Sequence, residues 1–153
     1  ALSSSFNYPS NFSHTTFIFY MKYSTIILLI LLIGCEQTKK VDCSTLVYTN
    51  NKTYQKGFLF TGDCNSFYTN SRIKSNQKYV NGIDDGEWIF YYENGSIQTI
   101  GKFDKGKRIG KWKYFYDNGK IKQESFYDSM GNKAGSWKLY DPNGDLDWVR
   151  RFD

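Results

Sequence analysis

Histidine is nearly absent from this 153-residue chain: the single copy, His14, lies among the first twenty residues. A Ser/His/Asp or Cys/His nucleophilic site needs an imidazole as its base, so the later sequence excludes that chemistry. Proline is almost as scarce, with only Pro9 and Pro142. That excludes a proline-rich, disordered or linker-like chain. Beyond Cys35 there are two cysteines, Cys43 and Cys64, with no histidine near them, so no metal site of Cys/His type is expected. No P-loop or other glycine-rich phosphate motif occurs, and no acidic or basic tail. No apolar run approaches the roughly 20 residues that span a bilayer as a helix.

What is present favours strands and tight turns. Aromatic residues make up 19% and hydrophobic residues 40%, and thirteen glycines punctuate mainly the second half. The net charge is +5, with lysine dominant. That balance is compatible with nucleic acid, lipid headgroups or acidic glycan. However, Lys102, Lys105, Lys107, Arg108, Lys111 and Lys113 alternate with aromatics and glycine, as on a solvated sheet face. Nucleic acid is not expected as a partner.

The N-terminal third reads as an export signal. Met21-Lys22 is followed by an apolar run from Ile26 to Ile33 and closed by Gly34-Cys35. A positive start, a short apolar stretch and a small residue before the cleavage point are the parts of a signal peptide. Residues 1–20 carry no acidic or basic residue and are set apart as an upstream extension, with translation starting at Met21. In the alternative, a genuine extension, Phe17-Ile18-Phe19-Tyr20 would lengthen the apolar stretch, with Lys22 interrupting it. Residues 21–34 form the signal and 35–57 a polar tether and N-terminal cap, in which Leu46-Val47-Tyr48 is expected as an edge strand. Residues 58–153 form the folded domain. In an exported chain Cys43 and Cys64 are expected to pair as a disulfide, the alternative being two free thiols.

From Gly62 the sequence copies itself at a period of 24, with one inserted residue near Ser129-Met130. The copies start at Gly62, Gly86, Gly110 and Gly135. Trp88, Trp112 and Trp137 follow two residues later, with Cys64 in the first copy. Asn94-Gly95, Asn118-Gly119 and Asn143-Gly144 supply hairpin-turn residues, with Asn70-Ser71 in the first copy. Trp88, Phe90 and Tyr92 alternate with Ile89 and Tyr91, which is strand periodicity. Each unit therefore reads as strand, turn, strand, turn. Since one hairpin cannot bury its aromatics alone, the units must stack side by side. The fold class is all-β, an elongated antiparallel sheet of tandem β-hairpins. The glycine before each Trp pair marks a turn or bulge, or a close approach beneath an aromatic.

Two stretches resemble known patterns. Leu32-Ile33-Gly34-Cys35 resembles a bacterial lipobox, which implies that Cys35 carries palmitate or a similar acyl chain. Gly86-Glu87-Trp88-Ile89-Phe90-Tyr91-Tyr92-Glu93-Asn94-Gly95 and its copy from Gly110 to Gly119 resemble the bacterial MORN-repeat-variant family. That resemblance covers about residues 54–153 and implies MORN-like hairpins in one sheet. Cys64 and Asp141 depart from the pattern, in place of a Trp and a Tyr. Relatives often carry the label of toxin–antitoxin antitoxin, which keeps an antitoxin or immunity-type role as the alternative to a lipid-anchored interaction module.

No catalytic constellation stands out, no cofactor is expected, and the chain reads as a non-enzyme. Asp84-Asp85-Glu87 is the best carboxylate cluster and reads as an acidic turn. The candidate binding surface is Tyr91, Phe115 and Tyr140 with Lys111 and Lys113, where aromatics and cations interleave. A protein or glycan partner and a membrane reached through the lipid anchor, in the cell envelope, complete the expectation.

Overall fold

The computed structural model describes residues 40–153. The upstream extension, the signal peptide and the Cys35 lipid site lie outside the described residues.

Thirteen strands form two sheets. The small sheet holds β2 (Val47–Thr49), β3 (Lys52–Gln55) and β4 (Phe58–Leu59). The large one holds β1 (Val41–Asp42), β5 (Gly62–Phe67), β6 (Ile73–Val80), β7 (Ile83–Asp84), β8 (Gly86–Tyr91), β9 (Ile97–Asp104), β10 (Lys107–Phe115), β11 (Ile121–Tyr127), β12 (Lys133–Tyr140) and β13 (Leu146–Phe152). From β5 to β13 the strands neighbour one another in chain order and run antiparallel, except that β7 pairs only with β6, which also pairs directly with β8. The four copies are thus four consecutive hairpins of one sheet.

Two kinds of turn alternate. Inside each copy, the Tyr92 carbonyl accepts from the Gly95 N–H at 2.9 Å, and the Tyr92 N–H donates to the Ser96 carbonyl at 2.8 Å. Three residues fill this loop and only the third, Gly95, has positive φ, at 89°. The Asn-Gly pair therefore builds a β-turn closed by a left-handed glycine, not a two-residue turn with both residues left-handed. The latter appears between copies: Asn81 and Gly82 have φ of 50° and 75°, and Lys105 and Gly106 have 48° and 80°. The inserted residue of the third copy turns this two-residue link into a three-residue loop, with the Gly131 N–H donating to the Asp128 carbonyl.

The N-terminal cap departs from the sequence reading. Val47-Tyr48 belongs to the small sheet, whereas the edge strand is Val41–Asp42, which pairs parallel to β5. The small sheet is pinned to the first inter-copy turn: the Thr53 N–H donates to the Gly82 carbonyl at 2.8 Å, and the Gly82 N–H to the Phe60 carbonyl at 2.7 Å. A methyl group on Gly82 would lie 2.7 Å from the Thr53 carbonyl oxygen, so only glycine fits. Cys43 and Cys64 are disulfide-bonded, with Cα atoms 5.1 Å apart.

The core is a row of rings on one face. Centroids run from Phe60 to Tyr79 (5.8 Å), Trp88 (5.4 Å), Phe103 (4.8 Å) and Trp112 (5.0 Å). The row continues to Tyr127 (6.5 Å), Trp137 (5.3 Å) and Phe152 (5.1 Å), mostly edge-to-face or tilted. Each Trp also reaches back one strand: the indole N–H of Trp88, Trp112 and Trp137 donates to the carbonyl of Lys78, Lys102 and Phe126. The second aromatic of each of the first three copies reaches forward, with Tyr68, Tyr92 and Tyr116 hydroxyls donating to the Tyr91, Phe115 and Tyr140 carbonyls at 2.7–2.8 Å. The period of 24 is thereby written into the hydrogen bonds between neighbouring copies.

Candidate functional site

The residues singled out from the sequence fall on the face opposite the ring row. Alternation places Lys111 and Lys113 across the sheet from Trp112. Tyr91, Phe115 and Tyr140 sit at the same point of three successive copies, just before the internal turn, opposite Ile97, Ile121 and Leu146. Equivalent strands are two apart, so these rings recur about every 9–10 Å. All three are half-buried.

Their polar tips are tied down locally. The Tyr91 hydroxyl donates to Asn76 Oδ1 at 2.9 Å. Lys111 Nζ pairs with Glu124 at 3.3 Å, and Tyr140 Oη reaches the other Glu124 oxygen at 3.5 Å. Exposed pairs of this kind add at most about 1 kcal/mol, so they position the surface more than they stabilise it. Beside them a shallow depression of about 230 Å³ is lined by Lys111, Phe126, Ser136 and Lys138 among others.

The structural residues all lie where the turns and the ring row need them. Gly95, Gly119 and Gly144 carry φ of 89°, 82° and 92°. Gly86, Gly110 and Gly135 carry φ of 66°, 65° and 61° at the bulged start of each copy. The close approach beneath an aromatic belongs instead to Gly101, which the sequence reading passed over: a methyl there would overlap the Trp112 ring.

The carboxylate cluster is split. Glu87 precedes Trp88 and points to the opposite face, where it lines a depression with Lys40 and Asp63. Asp84 is paired with Tyr79 and shares its face. There Asp84 lines a groove of about 460 Å³ with Tyr48, Tyr79, Trp88, Phe90 and Leu46. Burial holds the Asp84 carboxyl above the ordinary carboxylate value. Burial, with the Asp84 charge adding, pushes the Tyr79 hydroxyl up to about 12. The titratable side chains lining this groove are thus one carboxyl, Asp84, and the phenols of Tyr48 and Tyr79. Among the described residues no cluster of three or more His, Cys, Asp or Glu side chains could hold a metal ion.

Residues 84–105 and 108–129 each match the model of a family described as MORN repeat variant. No curated protein matches the chain. Among solved structures, an S. aureus TarM mutant in complex with fondaparinux, alpha-GlcNAc-glycerol and UDP is 14% identical, at a TM-score of 0.38. The match covers 88% of this chain and 25% of that one. A GtfA/B complex bound to UDP and GlcNAc is 11% identical at a TM-score of 0.33, covering 69% of this chain and 26% of that one. The chain thus spans about a quarter of the length of either structure, and likeness at these scores fixes neither fold nor function. The two family-model matches fall on the second and third copies, adjacent hairpins in a sheet of four.

Proposed function

We propose that this protein is a non-enzymatic interaction module, exported as a lipoprotein and held at a membrane of the cell envelope by an acyl chain on Cys35. Its platform for a protein or glycan partner is the face bearing Tyr91, Phe115, Tyr140, Lys111 and Lys113. The observation that carries this reading is the row of half-buried rings at one register point, one per copy, with lysines between them. Stability does not need those rings, because the row of Trp, Tyr and Phe on the other face already supplies a continuous core. Flat rings beside cations suit stacking on sugars or grip on an extended peptide. The match to an interaction-type repeat supports the same reading.

Two arms test it. In a Gram-negative host fed labelled palmitate, the parent should take up label and Cys35→Ala should not. Soluble, unlabelled protein in both would remove the anchor and leave the antitoxin-type role in front. A photocrosslinking residue at Lys113 should give one discrete adduct, and the same residue at Arg150, on the ring face, should give none. Equal adducts from both positions, or none from Lys113, would remove the platform.

A further inference from the structure

Two residues before each copy's first glycine stands one position whose occupant changes. In the third copy it is Arg108, in the fourth Lys133 and in the second Asp84. The register is the same in all three: Asp84 opposes Tyr79, Arg108 opposes Phe103 and Lys133 opposes Tyr127. In the later two copies the side chain lies over that copy's tryptophan. Arg108 Cζ is 4.5 Å from the Trp112 ring centre, and Lys133 Nζ is 4.7 Å from that of Trp137. Both are within cation–π range.

The second copy breaks this rule by charge reversal. Its tryptophan, Trp88, has an acid where its neighbours have a cation. The groove there is lined by Tyr48, Tyr79, Trp88 and Phe90, with Asp84, Gln77 and Thr53 as polar members and no lysine or arginine. Among the described residues Asp84 has no salt-bridge partner; the one ion pair is Lys111–Glu124. The groove therefore keeps the aromatic half of the arrangement and replaces its internal cation with the counter-charge for one.

We propose that the Trp88–Asp84 groove is a binding site for a basic side chain, lysine or arginine, of a partner protein. The bound cation would lie against Trp88 as Arg108 and Lys133 lie against Trp112 and Trp137, and would pair with the Asp84 carboxylate. About 460 Å³ accommodates one long side chain and the segment that carries it. The choice of an amino-acid side chain follows from the chain's own example: the same site in two neighbouring copies is filled by a guanidinium and by an ammonium, each on an alkyl stem. This site is on the ring face, so it stands or falls apart from the platform on the other face.

The test uses the full chain and the tryptophan indole N–H resonances, with the peptides acetyl-Gly-Lys-Gly-amide and acetyl-Gly-Arg-Gly-amide as probes. Both should shift the Trp88 indole saturably and leave those of Trp112 and Trp137 in place. A norleucine peptide, equal in shape and uncharged, should not. Asp84→Asn should weaken binding about tenfold or more, the loss expected of a hydrogen bond to a charged group. Asp84→Arg should abolish it by filling the groove from within, and Arg108→Asp should create a second responsive site at Trp112. Should Arg108→Asp fail to fold, the near-isosteric Asp84→Asn still decides. Norleucine binding as well as lysine, or Asp84→Asn binding like the parent, would overturn the proposal. So would saturable binding of phosphocholine with none of either peptide, which would assign the groove to a lipid headgroup.

Discussion

Trp112 and Trp137 hold the same position in consecutive copies, yet Trp112 is 1% exposed and Trp137 is only half-buried. The difference comes from neighbours. Trp112 has Phe103 on one side and Tyr127 on the other, rests on Gly101, and is covered by Arg108. Trp137 has Tyr127 and Phe152, but it sits beside β13, the edge strand of the described sheet, and Arg150 stands opposite it where Gly101 faces Trp88 and Ser125 faces Trp112. Burial along such a sheet is set by how many copies flank a residue. The sharpest way to break this comparison is to truncate both rings. Trp112→Ala should destabilise by about 3–5 kcal/mol, the range for a fully buried large ring, and Trp137→Ala by well under half of that. Urea unfolding of both variants measures it, and equal losses would sink the neighbour argument.

The two ends are finished differently. At the N-terminal end Cys64 stands in the tryptophan position, fully buried, bonded to Cys43 and packed with Phe60, Val41 and Leu46. At the C-terminal end Leu146, Trp148 and Val149 remain exposed. Asp141 stands where the earlier copies have the Tyr that reaches forward. Its carboxylate instead accepts from the Asn143 and Asp145 N–H groups of its own turn, at 2.8 and 2.9 Å. Reduction of the disulfide, which joins residues separated by 21 positions, should cost about 3 kcal/mol on chain-entropy grounds. Hydrogen exchange should locate the loss in β1 and β5, while β9 to β11 keep their protection. Uniform loss across the sheet would show that the end closure supports every copy.

Within the interior, Gly101 and Gly110 separate two reasons for glycine. Gly101 has no left-handed backbone but lies beneath Trp112, so Gly101→Ala meets an indole and should cost about 1–3 kcal/mol by overpacking. Gly110 has open space around it and φ of 65°, so Gly110→Ala should cost about 1–2 kcal/mol by backbone strain alone. Trp112→Phe, by shrinking the ring above, should soften the Gly101 penalty and leave that of Gly110 unchanged. Tyr116→Phe comes next in size: it removes one hydroxyl donor to the Tyr140 carbonyl and should cost about 1 kcal/mol by thermal unfolding.

The hairpins, their boundaries and the period were legible because strand alternation, recurring in four copies, and Asn-Gly turns, recurring in three of them, are local signals. The copies beginning at Gly86 and Gly110 carry enough of them to name the pattern outright. What escaped were facts of register between strands. Nothing adjacent in sequence to Gly101 announces that Trp112 will lie on it, and Asp84-Asp85-Glu87 looks like one cluster until alternation sends Asp84 and Glu87 to opposite faces. The N-terminal edge was misplaced for a related reason: Leu46-Val47-Tyr48 has the stronger strand propensity, but the disulfide site at Cys43 brings Val41–Asp42 alongside β5. A comparison of equivalent positions across the copies would have exposed the Asp84, Arg108, Lys133 series from sequence alone.

The smallest expected effect contrasts two acids that were both bland in the sequence. Burial raises Asp84, so folding favours its neutral form: its contribution is greatest at low pH and declines as pH rises from the ordinary aspartate value through the raised folded one. Hydrogen bonds from the turn N–H groups, those of Asp145 first, lower Asp141, so its contribution is present above the ordinary value and disappears as pH falls through the lowered one. Asp84→Asn should therefore melt above the parent at pH 7 and converge on it below about pH 4, near the unperturbed aspartate pKa. Asp141→Asn should melt below the parent at pH 7 and converge on it in more acidic solution. Melting curves across that range would show two differences of opposite sign. Two of the same sign would mean that the Asp84 groove does not desolvate its carboxyl, and that an acid there is held no differently from one in an open turn.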